Sequence, residues 1–528
     1  MRGSNGNKGG KGGRVLACGA SLALLLPGAA IIGCGGGEDS ELASLVPPDV
    51  PLYAEVVLRP EGDQAEAIES FAERVAGIED PAAAIAAELD SSLADDGVDA
   101  TFAEDIEPWL GDRGAVFVRS FESLDSPSMD PEAAVLVEVS DADAAQDFID
   151  ETLATESEGE VEESSYGDVD YQLDGDTAVG LIDDFLVFGP EDAFKVAVDA
   201  SAGESLAESE EYTQPTEGLG DDLLASAYVE LGAAIEAAIA SEDLDPGSTR
   251  LLDPLLAGPL SDPVAVGLTA TPDTAGLELA SVVDGQGDIA TDASLIETLP
   301  AGSWFAVGAP EAGDALARFL DQLANGGLPG AGSIRKAVRE ATGFDPRPGS
   351  LDWLGDASAF VEGTSAPGFT AGLIAEITDP TGPRQLLERV QTLAERDSGL
   401  RSAAPPEGAD YGFSLGVPSL GGGAEAGVID DHLVAVLGGT VAQALDPESE
   451  LGDDPRYQEA VESLGDDFPP ALFVHLPSFF EVAEQGGSAA DPDYRAALPY
   501  LEAFESLAAG SWVDDELALT RVIVSLAD

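Results

Sequence analysis

Gly412-Phe413-Ser414-Leu415-Gly416 has the Gly-x-Ser-x-Gly spacing that presents a nucleophilic serine on a sharp turn between a strand and a helix. Here Val417-Pro418-Ser419-Leu420 and three glycines follow, and such a run cannot start a helix promptly. The chain has two histidines, His432 and His475, each on or beside an apolar strand-like run. A lone histidine there is usually a packed or surface group. No His-Glu-x-x-His, paired-cysteine or Walker-type phosphate motif occurs. No metal, zinc chemistry or cofactor is therefore expected. The reading is non-enzymatic, with a serine hydrolase using Ser414 as the enzymatic alternative.

Cys34 carries the most specific chemistry. It follows Ile31-Ile32-Gly33 at the end of an apolar stretch over 15–33, which itself follows Arg2, Lys8, Lys11 and Arg14 in a Gly-rich start without acids. A basic start, an apolar run and a small residue before the cut match an export signal, and a cysteine at that place resembles the acceptor of a bacterial lipoprotein. Cleavage is expected between Gly33 and Cys34, with diacylglyceryl on Cys34. Two acyl chains suffice for stable attachment at ~0.8 kcal/mol per buried CH₂. Pro27 and the small residues argue against an uncleaved anchor of roughly 20 apolar residues. Val15-Leu16-Ala17-Cys18 has a similar box with no apolar run before it. Residues 34–47 then form a tether, about 14 residues long and reaching at most ~50 Å. The expected location is the outer face of the cytoplasmic membrane.

The 528 residues are 44% hydrophobic and 23% charged, with a formal net charge of −80. That is a globular composition with an extreme acidic surface. Such a surface repels nucleic acid and the anionic lipid face, so neither is an expected partner beyond the lipid anchor itself. The acids are spread through the chain, as expected for solubility in salt; weak cation binding is the sharper reading. Lys195 and Lys336 are the lysines outside the signal. Arg335, Lys336 and Arg339 form a basic cluster expected to pair with neighbouring carboxylates.

The elements that must position these groups recur. Trp109-Leu110-Gly111-Asp112 returns as Trp353-Leu354-Gly355-Asp356, and Ile182-Asp183-Asp184 as Ile429-Asp430-Asp431. Leu219-Gly220-Asp221-Asp222 returns as Leu464-Gly465-Asp466-Asp467, and Tyr166-Gly167 matches Tyr411-Gly412. The stretch 48–54 resembles 300–306. All offsets lie between 244 and 252, in one order. The implied organisation is a signal over 1–33, the tether over 34–47, one unit over 48–285, a joint over 286–298 and a second copy over 299–528. Trp109 and Trp353 are expected in the core beside a turn. Asp183, Asp184, Asp430 and Asp431 are expected in turns, satisfying backbone donors, with calcium as the alternative.

Within the first copy, 52–58, 115–118 and 134–137 are strand-like apolar runs. Residues 63–77 have helical spacing, and Ser140-Asp141 caps a helix carrying Ala144, Phe148 and Ile149. Residues 171–173 and 178–188 read as a hairpin, and 264–269 with 276–283 as a closing one. Strand pairs joined by tight turns, with helices between, predict an α+β fold of two tandem copies, each with a largely antiparallel sheet.

The lipoprotein-like start, the Pro-Pro-Asp-Val-Pro opening at 47–51, the Trp-Leu-Gly-Asp box and the Ile-Asp-Asp turn together resemble the domain-of-unknown-function 3352 family. That resemblance implies an exported, largely actinobacterial cell-envelope protein, and it supplies no catalytic residues. The expected function is a lipid-anchored envelope protein that binds or scaffolds an envelope partner. The alternative is a carrier holding a lipid or other apolar small molecule between the copies.

Overall fold

The structure, a computed structural model, describes residues 41–96, 98, 100–121, 132–156, 161–234, 262–282, 294–316, 351–365, 368–397, 402–417, 422–465, 467–514 and 517–527. Gly33, Cys34, Arg335, Lys336, Arg339 and Asp466 lie outside the described residues. The fold is α+β, and every pairing described below is antiparallel. The chain divides into two compact units. One comprises Met1–Ala240, Pro263–Pro272 and Glu278–Ser281; the other comprises Ser241–Asp262, Asp273–Leu277 and Val282–Asp528.

The first unit contains strands β1 (Leu52–Val57), β2 (Leu110–Val118), β3 (Ala133–Val139), β4 (Glu162–Tyr166), β5 (Val169–Asp174), β6 (Thr177–Ile182), β7 (Phe185–Pro190), β8 (Ala225–Glu230) and β9 (Pro263–Thr271). Their order is β4-β5-β6-β7-β3-β2-β1-β8-β9. Strand β10 (Thr274–Val282) is divided between the units. The helices are α1 (Asp63–Phe71), α2 (Pro81–Asp96), α3 (Ala142–Glu156), α4 (Glu191–Ser201) and α5 (Glu210–Thr216).

Central β3 explains the arrangement. Ala134 and Leu136 face one core with Tyr53, Phe117 and Phe194, whereas Val135, Val137 and Val139 face another with Trp109, Ile149 and Leu153. A strand buried on both faces needs an unbroken apolar run, which 134–137 supplies. Asp141 accepts the amide of Ala144 at 3.1 Å, capping α3 as its sequence predicts. Residues 178–188 form two strands rather than one arm of a hairpin, because Asp183-Asp184 turns the chain between β6 and β7. Leu42, Ala43, Leu45 and Val46 fall in the stretch expected to be tether, yet they are buried in the core. They form a short 3₁₀ turn, too brief for any periodicity to reveal.

The second unit contains β11 (Ser303–Ala309), β12 (Leu354–Glu362), β13 (Thr370–Ile377), β14 (Ser402–Ala403), β15 (Tyr411–Val417), β16 (Gly422–Ile429), β17 (His432–Leu437), β18 (Pro470–His475), β19 (Phe504–Asp514) and β20 (Leu517–Leu526). Their order is β14-β15-β16-β17-β13-β12-β11-β18-β19-β20. Its helices are α6 (Ser294–Glu297), α7 (Thr381–Asp397), α8 (Val441–Leu445), α9 (Pro455–Glu462), α10 (Leu476–Gln485) and α11 (Pro492–Leu501). Ile296 of α6 and Leu299 are fully buried in this unit's core, although the sequence assigns 286–298 to a joint.

Candidate functional site

Two of the recurring motifs, the tryptophan box and the aspartate turn, meet at one strand end in each unit. Trp109 is buried; its indole N–H donates to the Asp105 carbonyl at 2.7 Å, and its ring lies 5.5 Å from that of Phe148. Trp353 is buried too, and Gly382 lies so close that a Cβ there would stand 2.3 Å from the indole. Both tryptophans pack against neighbouring helices.

The rest of each box is a bulged strand start. Register shifts between Leu110 and Gly114, and between Leu354 and Ala357. Glu138 on β3 fills the first bulge: its Oε2 accepts the amides of Asp112 and Arg113, each at 3.2 Å. Gly111 lies against Glu138, where a Cβ would come within 2.7 Å. Gly355 lies against Glu376 on β13, with 3.4 Å to the nearest atom. Asp112 is exposed, and Asp356 Oδ1 accepts the Glu311 amide at 2.7 Å.

Asp183-Asp184 and Asp430-Asp431 are two-residue hairpin turns, closed by Ile182 against Phe185 and by Ile429 against His432. All four aspartates are exposed. Asp183 and Asp430 adopt left-handed φ values of 52° and 51°, which short polar side chains tolerate. The Asp184 carbonyl accepts the Val139 amide at 2.9 Å, and the next amide, Ser140, donates to the Trp109 carbonyl at 2.8 Å. In the second unit Ile377 donates to Asp431 at 2.9 Å and Thr378 to Trp353 at 2.8 Å. One strand end thus ties the tryptophan box to the aspartate turn. Among the described residues no three Asp, Glu, His or Cys groups are arranged to hold a metal ion.

The serine elbow does not form. Gly412 to Gly416 all lie within β15, with Ser414 opposite Glu425 and its hydroxyl donating to the Ala404 carbonyl at 3.2 Å. Counted from the aspartate turns, Ser414 takes the place that Leu173 holds opposite Ala178. The sequence offset that matches Tyr166-Gly167 with Tyr411-Gly412 does not hold here. Those tyrosines lie on β4 and β15, which hold different places in the two strand orders, because the loops between these strands differ in length. His475 ends β18; its Nδ1 meets Ser478 Oγ at 2.8 Å and its Nε2 meets Glu505 Oε1 at 3.2 Å. His432 opens β17 beside the aspartate turn.

Sequence reading missed a buried charge. Glu55 on β1 is 1% exposed, accepting Tyr53 Oη at 2.7 Å and pairing with Arg113 at 2.8 Å. Burial, then the Glu55 charge, holds the Tyr212 phenol well above its ordinary range, while Arg113 opposes the shift. Tyr212 packs edge-on against Tyr53 and Tyr228. The available signal is a glutamate on the inward phase of a strand, since Tyr53 and Glu55 share a face.

The second unit carries exposed aromatic side chains. Helices α10 and α11 have no buried residue. Phe479 of α10 is 46% exposed, 6.4 Å from the Trp304 ring and 5.8 Å from Phe480, and Tyr500 of α11 is 52% exposed. Single exposed apolar residues are ordinary; Phe479 stands out because it also meets two further rings. The same unit holds a cavity of about 380 Å³ lined by β12, β13, β17, α8 and residues 300–302 before β11.

The family model described as "Protein of unknown function (DUF3352)" matches residues 15–486. No curated protein matches the chain. Among solved structures, crystal form III of TP0453 is similar at 10% identity, over 47% of this chain and 82% of that one, with a TM-score of 0.25. Crystal form IV of TP0453 is similar at 10% identity, over 46% and 81%, with a TM-score of 0.26.

Proposed function

The chain belongs to the DUF3352 family, and on that premise we propose a non-enzymatic, lipid-anchored envelope protein that binds or scaffolds an envelope protein through its second unit. The carrying observation is the exposure of the Phe479 ring on α10 and the Tyr500 ring on α11. A folded core with rings left outside it suits a protein contact better than a sealed lipid site. No described helix is long and apolar enough to cross a membrane. Attachment in this reading runs through diacylglyceryl on Cys34 after cleavage at Gly33, outside the cytoplasmic membrane. The basic and apolar start of the chain supports it.

The two units in this reading are copies of one ancestor. The support is a common strand order, with each strand of the second unit ten places on from its counterpart, together with the bulged boxes and left-handed aspartates.

A photo-crosslinking residue at position 479, introduced in the native host, tests the contact. One discrete adduct that Tyr500→Asp abolishes, and that a crosslinker at buried Phe473 never gives, is the expected result. No adduct, or a diffuse ladder, overturns it. Alkyne-palmitate labelling lost in Cys34→Ala, with release from the membrane, is expected of the anchor.

A further inference from the structure

We infer that the cavity of the second unit is a binding site for a small organic cation, a protonated amine with a compact apolar body. This is independent of the exposed aromatic rings and of the anchor.

The cavity is built by omission of side chains. Gly302 lies so near Glu362 that a Cβ would stand 2.6 Å from its Oε1, so the glycine leaves the carboxylate its room. Gly438 turns at φ 87°, where a Cβ would strike the Phe369 carbonyl at 2.1 Å. Helix α8 then begins only after Gly439 and is five residues long. The first unit fills the corresponding place. There Val118, which pairs with Leu52 as Glu362 pairs with Ser303, is 4% exposed, and Val50, the match of Gly302 in the sequence repeat, is 2% exposed. Its helix α4 follows β7 directly and is eleven residues long.

The lining selects charge. Glu362, Asp446 and Glu448 border the cavity, and no lysine, arginine or histidine does. The Glu362 carboxylate has no hydrogen-bond or ion-pair partner among the described residues. Glu362 is half-buried, and burial alone holds its carboxyl above the ordinary range. The carboxylates do not converge as ligands for a metal ion. Phe360, Val436 and Pro300 supply apolar wall, and Thr370 and Gln443 supply hydrogen-bonding groups. An ammonium group against Glu362, with its carbon body on that wall, satisfies both halves. The volume of about 380 Å³ lies within the ~300–1,000 Å³ of small-molecule sites.

Isothermal titration of the full chain with benzylammonium tests this, in about 0.15 M salt so that surface attraction is screened beyond ~8 Å. Benzyl alcohol and benzoate are the controls. Saturable 1:1 binding of the amine, weakened about tenfold or more by Glu362→Gln (roughly 1.4 kcal/mol) and lost in Gly302→Val, is expected; neither control should bind. Gly302→Val imitates the filled first unit, and circular dichroism checks its fold; Glu362→Gln serves independently should it misfold. Ethanolamine and glycerophosphoethanolamine separate a free amine from a lipid headgroup: binding of both admits a headgroup, and binding of ethanolamine alone points to a free amine. Equal affinity for the wild type and Glu362→Gln, or no saturable heat up to about 10 mM amine, overturns the inference.

Discussion

Gly111 on β2 rests against Glu138 on β3 with no room for a methyl group: a Cβ on the glycine would stand 2.7 Å from the glutamate Cβ. The same carboxylate holds the two amides that follow. Gly111→Ala therefore overpacks the bulge and should cost about 1–3 kcal/mol, lowering the melting temperature of its unit by roughly 2–10 °C. Gly355 has 3.4 Å to Glu376, so Gly355→Ala should stay within about 1 kcal/mol of wild type. Equal losses by calorimetry would contradict the geometry.

The buried pair Glu55 and Arg113 predicts strong coupling. Arg113 is 40% exposed and Glu55 fully enclosed, so Arg113→Ala leaves the buried carboxylate without its cation. The loss should be about 2–3 kcal/mol, discounted from the ~3–5 of a fully buried pair. Val307 and Ala357 hold the matching positions of the second unit. The double variant Glu55→Val with Arg113→Ala should recover most of that loss in urea denaturation. Additive losses would mean the pair is not coupled.

At Asp183 and Asp430 the backbone, not the carboxylate, sets the residue type. Asp183→Gly should be neutral or mildly stabilising, and Asp183→Val should cost about 1–2 kcal/mol, since a left-handed φ is hard for a branched side chain. Thermal scans also test the calcium alternative. Melting should rise smoothly with monovalent salt, which screens a net charge of −80. A sharp rise with micromolar calcium at constant ionic strength, abolished in Asp183→Gly with Asp430→Gly, would restore a metal site.

Two carboxylates should respond to pH with opposite sign. The hydrogen bond from Arg456 holds Asp454 below the ordinary carboxylate range. It therefore stabilises the fold above the unfolded pKa of ~3.9, and that contribution disappears as pH falls through the lower folded value. Burial, then the charges of Glu211 and Asp49, hold Glu230 above its ordinary range. Its ionisation opposes folding as pH rises from ~4.3 through the raised folded value. At neutral pH Asp454→Asn should thus lower the melting temperature and Glu230→Gln should raise it. Both differences should shrink below about pH 4; differences that persist there would assign the effects to packing.

The elements and their turns were legible in the sequence because their causes are local. The apolar run 134–137, the cap at Asp141 and the aspartate pairs each act within a few residues. The recurring boxes likewise announced that something structural repeats. Other features came only with the tertiary structure. Trp109 and Asp184 are joined by consecutive amides of a third segment; Glu55 finds Arg113 on a neighbouring strand; Leu42 to Val46 leave the tether for the core; and Gly302 clears space for Glu362. Each depends on which strands become neighbours and in what register. That choice belongs to the packing of the whole sheet, and no short window of residues contains it.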